Sequence, residues 1–200
     1  MTNLQQSFRE YVKQKNQEKE EITLYNKNRK KLRIDYRNSQ QNKEEWKKCV
    51  LCFVVDKEGN VIIEHKNNDE KDGCSGHIQS YEVATQAVIR ELYEELSIDI
   101  EEALQVIHLG NVVINSEETK EELQCFLEVY CLFRDRDTIL EYNKKEIKKL
   151  EKVPGREFLE QLLNNEIFPC VEAYLPIIMK FVRLYQERFG RKIVLQRERD

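Results

Sequence analysis

A dense group of acidic side chains surrounds a single arginine within residues 76–98. Glu91, Glu94 and Glu95 follow Arg90 closely along the chain. Because residues three and four apart share one face of an α-helix, the three carboxylates project together within an arc of about 100°. Carboxylates this close repel one another unless a cation or a proton lies between them. The segment therefore predicts a helix whose polar face binds Mg²⁺ or a similar ion, because such ions prefer clustered oxygen ligands.

The rest of the predicted helix has an apolar face. The stripe consists of Thr85, Val88, Ile89, Leu92 and Leu96. Such a stripe packs against the core of a protein. Ala84 and Ala87 lie beside the carboxylates, and their short side chains leave room for metal ions and a bulky anion.

Three further residues support the carboxylates. Arg90 lies four residues before Glu94, which predicts an ion pair that holds this carboxylate in place. Glu82 falls at the helix start, where the helix dipole favours a negative charge. Gly76 lies in the loop before the helix, where the backbone can approach a ligand closely. An acidic helix that only keeps a protein soluble does not explain this glycine, this arginine and these spacings.

The arrangement resembles the Nudix box, the signature motif of the Nudix hydrolase superfamily. The matching residues are Gly76, Glu82, Arg90, Glu91, Leu92, Glu94, Glu95 and Ile98. Ser97 stands where the family has a glycine that ends the helix in a left-handed turn, which a serine adopts less readily. We expect a small local cost from this difference and no loss of metal ligands.

The resemblance implies an enzyme that hydrolyses a phosphoanhydride bond in a nucleoside diphosphate linked to another moiety. Its cofactor would be Mg²⁺ or Mn²⁺, and its partner a small-molecule diphosphate substrate. The implied metal ligands are Glu91, Glu94, Glu95 and the backbone carbonyl of Ser75. Arg90 would orient a glutamate without touching the substrate.

Other positions of the resemblance concern the substrate and the general base. Gly76, His77 and Glu82 would border the substrate. In this family the general base is a box glutamate or an acid from a later loop. Glu146 is the candidate for such a later acid, with the two glutamates at 121–122 behind it.

Length and composition indicate one soluble domain over residues 1–200. Hydrophobic residues make up 40% and charged residues 35% of the chain. The net charge of −4 and the pI near 5.6 disfavour a binder of duplex nucleic acid. No apolar stretch reaches the ~18 residues of a membrane span. The N-terminal residues lack a signal-peptide core, so we expect a cytoplasmic protein.

The order of predicted elements indicates an α/β (α+β) protein, with an α/β/α sandwich around a mixed sheet, which the Nudix resemblance also implies. Residues 1–45 form an N-terminal helix and hairpin extension, 46–165 the core, 166–190 a long C-terminal helix and 191–200 a charged tail. The predicted strands are 22–25, 32–36, 49–56, 61–65, 103–114 and 123–133, with a strand or short turn at 146–153. The predicted helices are 4–12, 156–163 and 171–189, besides the box helix. Residues 67–72 are expected to form a polar loop.

The cysteines are interpreted as reduced structural thiols. Cys49 and Cys52 have the two-residue gap of a metal site, but they lie in an apolar run that predicts a buried strand. Residues three apart on a strand point to opposite faces, so these two thiols cannot grip one ion. Cys74 stands two residues before Gly76 and is the one to follow.

Two alternatives to a hydrolase stay open from the sequence. The segment around Gly76-His77, together with the leading hairpin, is similar to type 1 isopentenyl-diphosphate isomerases, which share the fold. In that alignment Ser75 takes the isomerase cysteine's position, and Cys74 lies one residue away. A non-catalytic Nudix-fold binding domain is the other alternative, although such domains usually lose box carboxylates. A homodimer is expected by analogy of fold.

Overall fold

The computed structural model describes residues 20–37, 39, 42–68, 70–115, 124–136, 140–164 and 171–190, without the side chains of 171–173. The strands are β1 (Glu21–Tyr25), β2 (Lys31–Tyr36), β3 (Lys47–Val55), β4 (Asn60–Lys66), β5 (Lys71–Asp72), β6 (Cys74–His77), β7 (Ile107–Ile114), β8 (Cys125–Phe133) and β9 (Ile147–Pro154). The helices are α1 (Ala84–Leu96), α2 (Ile100–Ala103), α3 (Gly155–Leu163) and α4 (Val171–Phe189).

Strand β3 lies at the centre of a mixed sheet. It pairs in parallel with β8, which pairs antiparallel with β7. The other edge of β3 pairs with β4 only at Val54 and Val55, and with β6 from Cys49 to Cys52. Strand β4 therefore leaves β3 after the turn and pairs instead with β5 and β9. This divergence lets β6 lie beside β3, where it meets helix α1.

The two faces of β3 pack into separate apolar clusters, because alternate side chains of a strand point to opposite faces. Leu51 and Phe53 belong to a cluster that includes residues of α3 and α4. Val50 and Val54 belong to a second cluster that includes residues of α1. A strand buried on both faces is apolar throughout, which explains the continuous run from Cys49 to Val55. The predicted sandwich of helices on both faces of a mixed sheet is thus confirmed.

The hairpin of β1 and β2 forms its own two-stranded sheet beside the box segment. Ile22 forms an isolated bridge with Gln79, and the backbone N–H of Ser80 donates to Glu21 O at 2.9 Å. Tyr25 forms a second bridge with Trp46, at the start of β3. The N-terminal extension is therefore hydrogen-bonded to the segment that leads into α1.

Several predicted elements need correction. Residues 71–77 contain strands β5 and β6, so the segment predicted as a polar loop ends in strand, and Gly76 lies within β6. The strand expected at 103–114 begins only at Ile107, after the short helix α2. Short polar stretches gave no periodicity that would identify such elements. The prediction of a strand or turn at 146–153 resolves to strand β9. The predicted helix at 4–12, the tail at 191–200 and the acids at 121–122 lie outside the described residues.

Helix α1 shows most of its predicted faces. Val88, Leu92 and Leu96 are buried in the α1 cluster, but Thr85 is exposed. Ala87 is fully buried in the same cluster, so its side chain packs in the core. Cys49 and Cys52 lie in different clusters, which confirms that their thiols face opposite sides. No helix in the described part of the chain is long and apolar enough to cross a membrane.

Ser97 ends α1 in the left-handed conformation that the sequence pattern assigns to a glycine. Its φ is 51° and its ψ 29°, and its N–H donates toward Leu92 O and Tyr93 O. A side chain with a Cβ is strained in this region, whereas glycine adopts it freely. The serine therefore keeps the family's helix end at a local cost.

We expect Ser97→Gly to raise the free energy of unfolding by up to about 1 kcal/mol, because glycine removes the left-handed strain. Urea unfolding of the two proteins measures the difference. Asn164→Gly is the matched control, since Asn164 ends α3 with an ordinary φ of −86°. That variant should be destabilised, and a loss of stability in Ser97→Gly as well would contradict the explanation.

Candidate active site

Arg90 holds three of the four box carboxylates in one buried group. Its side chain is 1% exposed. Nε donates to Glu82 Oε1 at 2.7 Å and Nη2 to Glu82 Oε2 at 3.1 Å. Nη1 donates to Glu91 Oε1 at 2.7 Å and to Glu94 Oε2 at 3.0 Å, and Nη2 also reaches the carbonyl of His77 at 3.0 Å. The expected ion pair of Arg90 with Glu94 is present, and one guanidinium ties two further carboxylates to it.

Glu82 differs from its expected place beside the substrate. Its side chain is 1% exposed, and both its oxygens accept hydrogen bonds from Arg90. Oε2 also accepts from the backbone N–H of Gln79 at 3.2 Å. A carboxylate that is buried and engaged in this way orients Arg90 and leaves no oxygen for a substrate. Sequence spacing placed Glu82 at the helix start but could not show which way its side chain turns.

Gly76 is required by a close contact with α1. It pairs with Val50 across β3 and β6. A Cβ built on Gly76 would lie 1.9 Å from Glu91 Oε1 and 2.2 Å from its carboxyl carbon. No side chain fits there, so the glycine lets the Glu91 carboxylate lie directly against the backbone of β6. The sequence predicted close approach of a ligand at this position, and the structure shows that Glu91 itself approaches.

Glu91 and Glu94 hold their carboxyl groups where burial opposes ionisation. Burial raises the pKa of Glu91 well above its usual range, although the charge of Arg90 lowers it. Burial likewise raises the pKa of Glu94 to about 7, against the opposing charge of Arg90. Glu94 Oε1 is buried and has no hydrogen-bond partner among the described residues. Two buried carboxyl groups with raised pKa values indicate a site that gains from a further cation.

Glu95 lies apart from the other two box carboxylates. Its Oε1 contacts Lys66 Nζ at 2.5 Å, and its Oε2 accepts the backbone N–H of Ser75 at 3.1 Å. The prediction that the three carboxylates share one cluster is therefore only partly right. Glu91 and Glu94 accept hydrogen bonds from Arg90, whereas the Glu95 side chain points toward strand β4. The difference is tertiary, because β4 supplies the lysine that attracts Glu95.

Glu95 belongs to a second group of buried polar side chains. We name this group the Glu64 cluster, and it consists of Glu64, Lys66, Cys74 and Glu95. The ligand atoms of its two glutamates and its cysteine all lie within 4.8 Å of one another. Burial and the charge of Glu95 raise the pKa of Glu64 above its usual range, against the opposing charge of Lys66. Asp72 borders the cluster, accepts a hydrogen bond from the Ser75 hydroxyl, and has a pKa raised by burial to about 6.

No sequence motif predicted the two residues of β4 in this cluster, Glu64 and Lys66. Glu64 follows Ile62 at a two-residue spacing on a strand, so it shares the inward face of that residue. A charged residue at an inward position of an otherwise apolar strand is the signal that could have identified it. No local pattern, however, could show that its partner is Glu95.

His77 has both ring nitrogens buried and without a hydrogen-bond partner among the described residues. Burial lowers its pKa to about 3, with added effects of the charges on Arg37, Lys47 and Arg90. The ring is therefore neutral near pH 7 and keeps one donor and one acceptor unused. Its backbone carbonyl accepts from Arg90, so His77 belongs to the same structural unit as the box carboxylates.

Glu146 lies near the carboxyl end of α1, in the turn before β9. Its side chain is exposed, and Asn143 Nδ2 donates to Oε1 at 2.9 Å. The backbone N–H of Asn143 donates to Glu95 O at 2.9 Å, which ties this turn to the helix. Burial lowers the pKa of Arg37, but the charges of Glu20, Glu91 and Glu146 raise it, and the net effect is a raised pKa. The structure thus brings Glu146 to the same side of the molecule as the box.

The donor set fits a hard divalent cation. The groups are carboxylate oxygens, and two of these residues, Glu64 and Glu94, have a buried Oε1 without a hydrogen-bond partner among the described residues. Mg²⁺ and Mn²⁺ favour oxygen ligands of this kind. The backbone N–H of Ser75 donates to Glu95 Oε2, so Ser75 lies next to this carboxylate.

Comparison with known proteins agrees with this fold. Residues 45–174 match the NUDIX domain family. A crystal structure from Deinococcus radiodurans superposes with a TM-score of 0.60 and 22% identity, covering 78% of this chain and 97% of that one. The MutT protein of Methanosarcina mazei superposes with a TM-score of 0.52 and 17% identity, covering 70% and 94%. Curated protein sequences give no significant match. At these identities the superpositions support the fold alone.

Proposed function

Because the chain belongs to the Nudix domain family and is a pyrophosphohydrolase, we propose that it hydrolyses the diphosphate bond of a nucleoside diphosphate linked to another moiety, with Mg²⁺ or Mn²⁺. The observation that carries the proposal is the buried Arg90 that holds three carboxylates, one of which keeps an oxygen without a partner in the described structure. A purely structural ion-pair group has no need of such an oxygen, since buried polar atoms are normally paired.

Glu91, Glu94, Glu95 and the carbonyl of Ser75 are the groups that we propose to hold the cation. A bound divalent cation neutralises charge on the diphosphate and lowers the pKa of a water that attacks phosphorus. Arg90 positions two of these carboxylates, those of Glu91 and Glu94, by donating a hydrogen bond to each. Gly76 and His77 border the same surface, and the neutral ring of His77 can donate to or accept from a substrate oxygen or base.

Glu146 is our proposed general base. Glu91 and Glu94 are bound to Arg90 and Glu95 to Lys66, whereas the Glu146 side chain is exposed and joined to the end of α1 through Asn143. In this role Glu146 accepts the proton of the attacking water while the bond from phosphorus to the bridging oxygen breaks. The leaving phosphate keeps the electron pair of that bond.

We expect Glu146→Gln to lower kcat about a hundredfold, because a positioned general base contributes at least that factor. Steady-state kinetics with Mg²⁺ measure the change, and Mn²⁺ titration should show unaltered metal affinity. Glu141→Gln, at another exposed position shortly before β9, is the matched control and should leave kcat unchanged. Full activity in Glu146→Gln would assign the base to a box glutamate.

The decisive test of the function is a substrate panel with Mg²⁺ and Mn²⁺, with the products identified by mass. The panel contains nucleoside triphosphates, ADP-ribose, dinucleotides and coenzyme A. Release of a nucleoside monophosphate from one class, abolished by chelation, is the expected result. No metal-dependent turnover of any diphosphate would contradict the proposal.

Isopentenyl diphosphate belongs in the same panel, because the Ser75-Gly76-His77 segment is similar to the isomerase branch. Cys74 lies one residue from the isomerase cysteine's position and is 1% exposed. Burial raises the pKa of its thiol well above the usual range, so it is a weak proton donor. We expect no isomerisation, and its detection would replace the hydrolase proposal.

A cytoplasmic location and a homodimer complete the proposal. Strand β2 exposes Leu32, Ile34 and Tyr36 on alternate positions, which gives this edge of the molecule an apolar face. Such faces are common at contacts between subunits. Light scattering coupled to size-exclusion chromatography measures the mass, and a strictly monomeric protein would exclude the dimer.

A further inference from the structure

Glu64 is a buried carboxylate that the box motif does not include. Glu64 is 0% exposed, and its carboxylate lies within 4.8 Å of that of Glu95 on α1. Its Oε1 accepts no hydrogen bond from the described residues. Its charge is balanced by Lys66, whose Nζ lies 2.5 Å from Oε2. A buried carboxylate usually has several hydrogen-bond donors, so this one is unusually poorly satisfied.

Lys66 lies between two carboxylates. Its Nζ is 2.5 Å from Glu64 Oε2 and also 2.5 Å from Glu95 Oε1. The contact between Lys66 Nζ and Glu64 Oε2 places these two side chains on the same face of β4. The lysine ammonium therefore occupies the position at which a cation would contact both glutamates. With 16% of its side chain exposed, Lys66 has a route to solvent.

We propose that Glu64 is a further ligand of the metal site, shared with Glu95, and that the Lys66 ammonium competes with the metal for the same position. The inference rests on the proposed function in that Glu95 belongs to the site. It adds a ligand from a strand that the box does not contain, and a competing cation carried by the chain itself. With Lys66 in place, the two carboxylates stay neutralised while no metal is bound.

The competition has a defined consequence for affinity. A divalent ion that binds Glu64 and Glu95 must displace the Lys66 ammonium. The free energy of metal binding is therefore reduced by the breaking of two ion pairs. A substitution that removes the ammonium avoids this cost, whereas a substitution that removes the Glu64 charge deprives the metal of a ligand. The two substitutions therefore change metal affinity in opposite directions, which a merely structural ion pair would not do.

The test is calorimetric titration of the full-length protein with Mn²⁺ at fixed pH, without substrate. We expect Glu64→Gln to weaken binding about tenfold or more, and Lys66→Met to strengthen it about tenfold, the range found when groups around metal ligands are changed. Mn²⁺ should also raise the melting temperature of Lys66→Met more than that of the wild type. Lys66→Gln provides the same comparison in a variant that keeps a hydrogen-bond donor for Glu64.

Matched controls separate this effect from general damage. Glu102→Gln removes a carboxylate of similar burial, which pairs with Arg134 outside the site, and should leave Mn²⁺ affinity unchanged. Glu101→Gln removes an exposed carboxylate on α2 and should also bind Mn²⁺ as the wild type does. Wild-type affinity in Glu64→Gln, or equal or weaker affinity in both Lys66 variants, overturns the proposal.

The outcome is independent of whether the substrate class is right. Metal binding without substrate reports on Glu64 and Lys66 alone. A protein that hydrolyses no diphosphate but shows the opposed affinity changes would contradict the proposed function and support this inference. A protein that hydrolyses diphosphates with unchanged affinities in these variants would do the reverse.

Discussion

Glu94→Gln is expected to reduce kcat/KM for metal-dependent diphosphate hydrolysis about a thousandfold or more. Glutamine has nearly the same shape, and its amide oxygen can still accept the hydrogen bond that Arg90 Nη1 donates at 3.0 Å to Oε2. Its NH₂ group then takes the place of Oε1, the oxygen without a partner among the described residues. The site loses one ligand and one negative charge, and metal ions contribute several kcal/mol to such reactions, with about 1.4 kcal/mol for each tenfold in rate.

Steady-state kinetics over a range of Mg²⁺ concentrations measure this effect. Glu101→Gln is the control, because it makes the same chemical change at an exposed position on α2. Glu94→Gln should fold as the wild type does, since burial already disfavours the charge of Glu94. Activity within tenfold of the wild type at saturating metal would contradict the assignment of Glu94 as a ligand.

Arg90→Met is expected to lower the free energy of unfolding by about 3–5 kcal/mol near pH 7, the usual effect of breaking a buried ion pair. Methionine fills part of the space but leaves Glu82, Glu91 and Glu94 without their shared cation. All three side chains are at most 14% exposed, so water replaces the guanidinium poorly. Mn²⁺ affinity should fall as well, because the ligands lose their fixed positions.

The loss in Arg90→Met should depend on pH. Burial already raises the pKa values of Glu91 and Glu94, and removal of the arginine raises them further. A carboxyl group whose folded pKa lies above its unfolded pKa destabilises the fold above the folded pKa and has no effect below the unfolded one. The deficit should therefore be larger at pH 8 than at pH 5 in urea unfolding.

Arg134→Met is the control for loss of a buried arginine. Arg134 donates to Glu102 at 2.6 Å, away from the box, so its loss should destabilise the protein without changing Mn²⁺ affinity. Equal Mn²⁺ affinities in Arg90→Met and the wild type would show that Arg90 does not position the ligands.

Much of the architecture follows from local patterns. The helical spacing of the box correctly located α1 and the pair of Arg90 with Glu94, because both depend on residues within one turn or so of each other. The buried run at residues 49–55 identified β3, because a strand covered on both faces is apolar throughout. Strands β5 and β6 were missed, since they are short and are held by pairing with β4 and β3.

What the sequence determined by itself is the box: its helix, its four glutamates, its arginine and its glycine, with the family to which they belong. Tertiary structure decided which of them meet. In the folded protein Glu82 accepts a hydrogen bond from Arg90, Glu91 packs against Gly76, and Glu95 contacts Lys66. The contacts of Glu91 and Glu95 join α1 to two different strands, so they depend on how the sheet divides after β3. The spacing of residues along one helix carries no information about that division. It determines the direction of each side chain around the helix axis, but not which other elements pack against the helix.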